Sequence, residues 1–144
     1  MKRLLAPLSL VLSIATPAWA EGGGIVEVYK TPNCGCCAKW VQHLQKAGFT
    51  VNTHDVGNVT PTREKLGMPE SYASCHTAKV GGYVVEGHVP AEDIKRLLKE
   101  RPVAIGLAAP GMPQGSPGME TATPAPYDTL LIKRNGSSSV YARH

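Results

Sequence analysis

The sequence lacks a block of basic residues, and its basic residues do not interleave with aromatic ones, which form only 6% of the 144 residues. Because nucleic-acid-binding domains usually gather Lys and Arg on one face, nucleic acid is not an expected partner. No feature of the sequence indicates a dimer, so we expect a monomer. The length suits a single domain with one hydrophobic core.

An apolar run long enough for a comfortable membrane-spanning helix is also missing. Residues 4–15 are mostly apolar, follow Lys2 and Arg3, and lead to Ala18-Trp19-Ala20. A short apolar run between a basic start and small residues is typical of a secretory signal peptide, whereas a spanning helix needs about 20 apolar residues. We therefore predict that residues 1–20 are cleaved, that the protein is periplasmic, and that the mature chain has no membrane attachment. Its basic and acidic residues are then nearly balanced in number.

The spread of cysteines that a disulfide framework needs is missing as well. Cys34, Cys36 and Cys37 lie within four residues, and Cys75 is the only other cysteine. Exported domains usually pair their cysteines, but a vicinal pair is strained and the loop from Cys34 to Cys37 is too short to give much stabilisation. The clustering therefore indicates redox chemistry or binding of a soft metal.

Hydrophobic patterns predict an α/β domain over residues 21–102. The expected order is strand, helix, strand, helix, strand, strand and helix. The strands are expected near residues 25–29, 49–56, 77–80 and 83–85, and the helices near residues 36–47, 60–66 and 90–101. This order resembles that of thioredoxins, which carry a C-x-x-C motif after the first strand, where Cys34 and Cys37 lie here. The resemblance implies a thioredoxin-like domain.

Residues 103–144 exceed a minimal domain of that kind. Residues 103–126 are rich in Gly, Pro, Ala and Met and show little helical or strand periodicity, so we predict a long loop. Residues 128–133 and 139–143 flank Asn135-Gly136, which favours a terminal β-hairpin. A hairpin paired with the domain would fix both ends of the loop, and we expect the loop to fold over another part of the protein.

The sulfur ligands restrict the choice of metal. Soft thiolates select Cu(I), zinc or iron–sulfur clusters, of which an exported protein more readily meets copper or zinc. Three cysteines in one short turn do not easily point at a single ion together with Cys75, so the cluster is expected to bridge several ions. Zinc remains possible, because Cys75 and His76 could complete a zinc site.

Two methionines favour copper. Met112 and Met119 each follow a Pro-Gly pair, a context in which core packing is an awkward explanation. Thioethers bind Cu(I) well and zinc poorly. The alternative for both residues, and the preferred one for Met68, is a packing role under a loop.

His76 follows Cys75 directly and is either a metal ligand, a group that orients a ligand, or an exposed side chain. The other histidines are not expected to bind metal. We interpret His43 as a packing residue of the first helix and His54 and His88 as surface groups near strand ends, and assign no role to His144.

Four segments match a known pattern when they are taken together: Tyr-Lys-Thr-Pro-Asn-Cys-Gly-Cys-Cys at residues 29–37, Ser-Cys-His-Thr at 74–77, Val-Val-Glu-Gly-His-Val-Pro at 84–90, and the two Pro-Gly-Met elements within 110–120. The C-x-C-C element alone identifies a family with only moderate specificity, but the four segments together are a specific signature. It resembles the CopG family of exported, thioredoxin-like copper-resistance proteins, which is unrelated to the plasmid repressor of the same name.

The resemblance implies a copper site at the cysteine cluster to which the C-terminal extension contributes, and a role in interconverting Cu(I) and Cu(II). From the crowding of the cysteines we expect more than one ion. A copper-efflux or electron-transfer protein is the expected partner, and the chain could then be a copper oxidoreductase. The implied ligands are Cys34, Cys36, Cys37, Cys75, His76, Met112 and Met119.

Two alternative functions remain open. One is thiol–disulfide exchange by Cys34 and Cys37, in which the helix N-terminus would lower the pKa of Cys34 and make it the nucleophile. This alternative does not explain Cys36, His76 or the methionines. The other is passive delivery of copper to an efflux system without a change in oxidation state.

Overall fold

The computed structural model describes residues 23–144. The predicted signal peptide, residues 1–20, lies outside the described residues. Within residues 23–144, no helix combines the length and apolar character needed to cross a membrane.

The described chain forms a mixed β-sheet with helices on both faces, which confirms the expected α/β class. The strands are β1 (Ile25–Lys30), β2 (Thr50–Asp55), β3 (His76–Val80), β4 (Tyr83–Gly87), β5 (Gly106–Ala109), β6 (Asp128–Ile132) and β7 (Ser138–Arg143). The helices are α1 (Gly35–Lys46), α2 (Thr60–Lys65) and α3 (Ala91–Glu100), with a 3₁₀ turn at Glu70–Tyr72.

The seven strands lie in the order β2-β1-β3-β4-β5-β6-β7. β1 pairs with β2 in parallel and β4 with β5 in parallel, and the remaining neighbours are antiparallel. Gly81 and Gly82 connect β3 to β4 with φ values of 54° and 88°, which glycine adopts without steric cost. This two-residue turn sets the register in which Thr77 faces Glu86.

The larger core lies between the sheet and helices α1 and α3. In α1, Trp40 and Leu44 are four residues apart on one face and are fully buried, as are Ile94 and Leu97 of α3. They pack against alternate residues of the sheet, among them Val26, Val28, Ala78 and Val85. The opposite face carries a smaller cluster made by Met68, Val84, Ala108 and Ile132. Met68 therefore has the packing role preferred for it.

One strand was missed by the sequence patterns. Residues 106–109 were expected to belong to a loop, but they form β5, and all four are buried. A short strand covered on both faces shows no alternation of polar and apolar residues, so periodicity does not reveal it. A Cβ on Gly106 would meet the Val84 carbonyl oxygen at 1.7 Å, which explains why glycine lies where β5 approaches β4.

β6 and β7 form an antiparallel pair around Asn135-Gly136 and extend the sheet beyond β5. The pair is also fastened to α3. Arg96 stacks on the Tyr141 ring with its guanidinium carbon 3.6 Å from the ring centroid, and His144 Nε2 lies 2.9 Å from Asp93 Oδ2. Both ends of the segment between β5 and β6 are thus held by the domain.

Candidate metal centre

The strand pairings bring three separate segments to one edge of the sheet. β1 ends at Lys30, which pairs with His76 at the start of β3, so the loop after β1 and the residues before β3 lie side by side. In the β3–β4 pair, Thr77 faces Glu86. The same register places Cys75 opposite His88, just beyond the end of β4.

The C-x-C-C cysteines lie where α1 begins. Cys34 precedes the first helical residue in an extended conformation, and its carbonyl accepts the backbone N–H of Ala38. Cys37 is fully buried, whereas Cys34 and Cys36 are half-buried. Cys34 and Cys37 form a disulfide with a Cα–Cα distance of 5.3 Å, and Cys36 and Cys75 are free thiols.

All four sulfur atoms lie within 4.8 Å of one another. Cys36 Sγ is 3.6 Å from Cys34 Sγ and 3.9 Å from Cys75 Sγ, and Cys37 Sγ is 3.5 Å from Cys75 Sγ. The sulfurs are thus closer together than the sequence spacing suggested. With the disulfide reduced, the four thiols offer a compact set of soft ligands that can hold a metal ion.

The Cys75 thiol is protonated at neutral pH in the metal-free protein. Burial, with the Cys36 thiol nearby, raises the pKa of Cys75 to about 12. A bound cation would offset that desolvation, because thiolates coordinate metals in the deprotonated form.

His88 is the main correction to the sequence interpretation. It was expected at the surface, but it is fully buried, and its Nε2 lies 3.1 Å from Cys75 Sγ. On the other side of the ring, Nδ1 donates to the carbonyl oxygen of Pro117 at 2.8 Å. That bond selects the tautomer with the proton on Nδ1 and leaves the Nε2 lone pair directed at the sulfur. Burial lowers the pKa of His88, so the ring is a neutral potential ligand.

His76 is buried in the same cluster. Its Nδ1 is 3.4 Å from Cys75 Sγ, and its ring packs on Trp40 with a centroid distance of 4.3 Å. Burial, with a smaller contribution from His88, lowers the pKa of His76 to about 3. Its Nε2 has no hydrogen-bond partner among the described residues. Cys75, His76 and His88 therefore form a second group of potential ligands that shares one sulfur with the first.

The loop between β5 and β6 folds over this cluster. Pro117 accepts the hydrogen bond from His88, and Gly118 lies so close to α1 that a Cβ there would be 2.7 Å from the Cys36 carbonyl oxygen. Gly118, with φ of 87°, donates its N–H to Glu120 Oε1 at 2.8 Å. Tight turns within the loop, such as Met119 N–H to Ser116 O at 2.8 Å, give it a defined shape.

The two methionines approach the cluster from different openings. Met112 lines a surface depression together with Cys75, and its side chain is half exposed. Met119 lines a separate depression with Cys36 and Glu120. The structure therefore brings the four cysteines and His76 together and adds His88, and each methionine lines a surface depression with one of the cysteines.

Two other histidines, His43 and His54, lie in the environments that the sequence predicted. His43 is partly buried, as expected, and its Nε2 accepts the backbone N–H of Ala91 at the start of α3. His54 is exposed and pairs with Glu27.

The sequence did contain a signal for His88. Gly81-Gly82 predicts a two-residue turn, and counting outward from it pairs residue 75 with residue 88. A register count from the turn would therefore have put His88 beside Cys75.

Comparisons with known proteins identify relatives of this chain. A family model described as "Protein of unknown function, DUF411" matches residues 72–119, the stretch from the segment before Cys75 to Met119. No curated protein gives a significant match.

Two solved structures match most of the chain. One, titled "Copper resistance protein copG- Form 1", is 43% identical, with 83% of this chain and 96% of that chain covered and a TM-score of 0.79. The other, titled "Copper resistance protein copG- Form 2", is also 43% identical, with 84% and 98% covered and a TM-score of 0.80. Since this identity extends over nearly the full length of both solved chains, the protein belongs to the CopG copper-resistance family.

Proposed function

We propose that this protein binds copper in the periplasm as part of copper resistance and interconverts Cu(I) and Cu(II) at a thiolate site. In this proposal residues 21–102 form a thioredoxin-like domain and residues 103–144 an extension that contributes to the site. The single observation that carries the proposal is the group of four cysteine sulfurs within 4.8 Å of one another, beside two buried imidazoles. The titles of the solved relatives support copper as the metal.

The ligand set suits both oxidation states of copper. Thiolates stabilise Cu(I), whereas imidazole nitrogens are good ligands for Cu(II). Cys75 belongs to both ligand groups, because its sulfur is near Cys36 and Cys37 on one side and His88 Nε2 on the other. An ion shared between the groups would change oxidation state without leaving the protein, given an external electron partner.

Contacts within the protein orient the imidazole ligands before metal binds. The Pro117 carbonyl holds the His88 ring with Nε2 free, and packing on Trp40 orients His76. Deprotonation of Cys75 accompanies metal binding, since its pKa is about 12 without metal. Met112 and Met119, in separate openings, are suited to hold Cu(I) as it enters or leaves, and the spread of ligands supports more than one ion.

Anaerobic titration of the fully reduced protein with Cu(I) and then with zinc tests the proposal. We expect more than one copper per chain, absorption from thiolate-to-copper charge transfer after oxidation, and preference for copper over zinc. A protein that takes zinc in preference to copper would contradict it. Transfer of copper to an acceptor with no change of oxidation state would instead support passive delivery.

The Cys34–Cys37 disulfide favours a second candidate, thiol–disulfide exchange. Cys36 lies 3.6 Å from Cys34, and Cys75 lies 3.5 Å from Cys37, so each free thiol is beside one sulfur of the disulfide. Catalytic reduction of a protein disulfide by the metal-free, reduced protein would support this function. A Cys36→Ser variant that kept full reductase activity but lost copper would separate the two functions.

A further inference from the structure

A buried ion pair contacts the backbone of Ser74, the residue before Cys75. Arg63 of α2 is 3% exposed and Glu86 of β4 is fully buried, with Arg63 Nε 2.9 Å from Glu86 Oε1. Removing two charges from water costs several kcal/mol per ion, and an apolar pair often gives equal stability. Stability alone therefore does not explain why a charged pair is buried here, and the hydrogen bonds that the pair makes indicate its role.

The contacts converge on Ser74, the residue before Cys75. Glu86 Oε1 accepts the Ser74 backbone N–H at 2.7 Å, and Arg63 Nη2 donates to the Ser74 carbonyl oxygen at 2.8 Å. Both backbone polar groups of Ser74 are therefore held by the ion pair. Glu86 Oε2 also accepts the hydroxyl of Thr77 at 2.6 Å, so the chain is held on both sides of Cys75 and His76.

The same segment holds the loop that carries Met112. The Ser74 hydroxyl donates to the Gly111 carbonyl oxygen, and the Gly111 N–H donates to the Ala73 carbonyl oxygen at 3.0 Å. Displacement of Ser74 would therefore move Cys75 and the Met112 loop together.

We propose that Arg63 and Glu86 are positioning residues of the metal centre, which hold the Ser74–Cys75 backbone so that the Cys75 sulfur faces Cys36, Cys37 and His88. This inference rests on the proposed copper function. Neither side chain is among the potential ligands, and their effect passes through two backbone hydrogen bonds. Glu70 provides a matched control, because it also pairs with Arg63, through Nη1 at 2.8 Å, but its side chain is 61% exposed.

The test compares Arg63→Lys and Glu86→Gln with Glu70→Gln in the full mature chain. Lysine keeps the charge but has no fork to bind Glu86 and Ser74 together, and glutamine keeps the shape of Glu86 without its charge. Cu(I) affinity is measured by competition with a chelator, and sulfur ligands are counted by X-ray absorption. We expect a 10–100-fold loss of affinity and fewer Cu–S contacts in the first two variants, and wild-type values for Glu70→Gln.

A metal-free readout separates failure of this inference from failure of the copper proposal. Thiol alkylation followed by mass spectrometry should show faster modification of Cys75 in Arg63→Lys and Glu86→Gln than in wild type, with the Cys34–Cys37 disulfide intact. If wild type binds no copper but alkylation changes as expected, the copper proposal fails and the positioning role stands. Wild-type alkylation and wild-type copper binding in a folded Arg63→Lys variant would overturn the positioning role, and this milder variant decides the question if Glu86→Gln does not fold.

Discussion

The Nε2 atom of His88 lies 3.1 Å from the sulfur of Cys75, while the Nδ1 atom of the same ring donates to the Pro117 carbonyl oxygen. One imidazole thus joins the cysteine cluster to the loop that covers it. Because the covering loop selects the tautomer, the geometry of the candidate metal centre depends on contacts between residues 117, 88 and 75, which are far apart in the sequence.

Replacement of His88 should weaken copper binding. In His88→Ala the Cys75 sulfur loses its nearest nitrogen neighbour, and the loop loses the hydrogen bond from Nδ1 to Pro117. We expect at least a tenfold loss of copper affinity, because removing a metal ligand or a group that orients one typically lowers metal affinity by about that factor or more. Competition with a chelator measures it. The exposed His54→Ala is the matched control and should bind like wild type; equal affinities for all three proteins would contradict a role for His88.

Alkylation of Cys75 should show its raised pKa. Since the thiolate is the reactive form and the pKa is about 12, the rate in metal-free protein should rise about tenfold per pH unit from pH 7 to 10. Mass spectrometry of the protein with its disulfide intact measures this rate, and urea-unfolded protein should level off near pH 8.5. A plateau near pH 8.5 in the folded protein would be inconsistent with burial of the thiol.

The sign of the linked stability follows from the same shift. The pKa of Cys75 in the folded protein lies above its pKa in the unfolded protein. The contribution of the protonated Cys75 thiol to the free energy of unfolding is therefore complete below about pH 8.5 and is lost as the pH rises further. The free energy of unfolding of the metal-free protein should therefore decrease between pH 8.5 and 10, and less so in a Cys75→Ala variant.

His43 should make the metal-free protein sensitive to acid. Burial lowers the pKa of His43, and the neutral ring accepts the Ala91 N–H at the start of α3. The contribution of the neutral His43 ring to the free energy of unfolding is complete above about pH 6.5, which is the pKa of histidine in the unfolded chain. This contribution is lost as the pH falls below that value. His43→Gln keeps an acceptor that does not titrate. Urea unfolding at pH 7.5 and 5.5 measures the decrease in the free energy of unfolding on acidification. This decrease should be smaller in the variant than in wild type, by about a few tenths of a kcal/mol because the ring is partly exposed. Equal losses would refute the role of His43.

Reduction of the Cys34–Cys37 disulfide should increase the copper capacity of the protein. Of the four cysteines, the oxidised form leaves only Cys36 and Cys75 as thiol ligands beside the two imidazoles, since disulfide sulfurs are poor donors compared with thiolates. We expect fewer copper ions per chain before reduction than after it, by metal analysis of desalted protein. In the oxidised form, Cys36→Ser should lower the remaining capacity further; identical capacity in both redox states would contradict involvement of Cys34 and Cys37.

Local spacing in the sequence determined much of this protein. Three cysteines between a strand pattern and a helical pattern predicted a thiolate cluster at a strand–helix junction, and α1 begins at Gly35, directly after Cys34. The Gly81-Gly82 turn predicted the hairpin that carries Cys75 and His76 at its open end. These features depend on contacts within a few residues or across a tight turn, which periodicity and turn chemistry report directly.

Only the tertiary structure decided what surrounds the cluster. A register count from the Gly81-Gly82 turn places His88 beside Cys75, but only the fold shows that the ring is buried and bonded to the Pro117 carbonyl oxygen. β5 was hidden because all four of its residues are buried. Arg63, in a short polar helix, gave no sign in the sequence that it would pair with Glu86. Each of these results from contacts between segments distant in sequence, where burial and hydrogen-bond partners are set by packing and not by the local pattern.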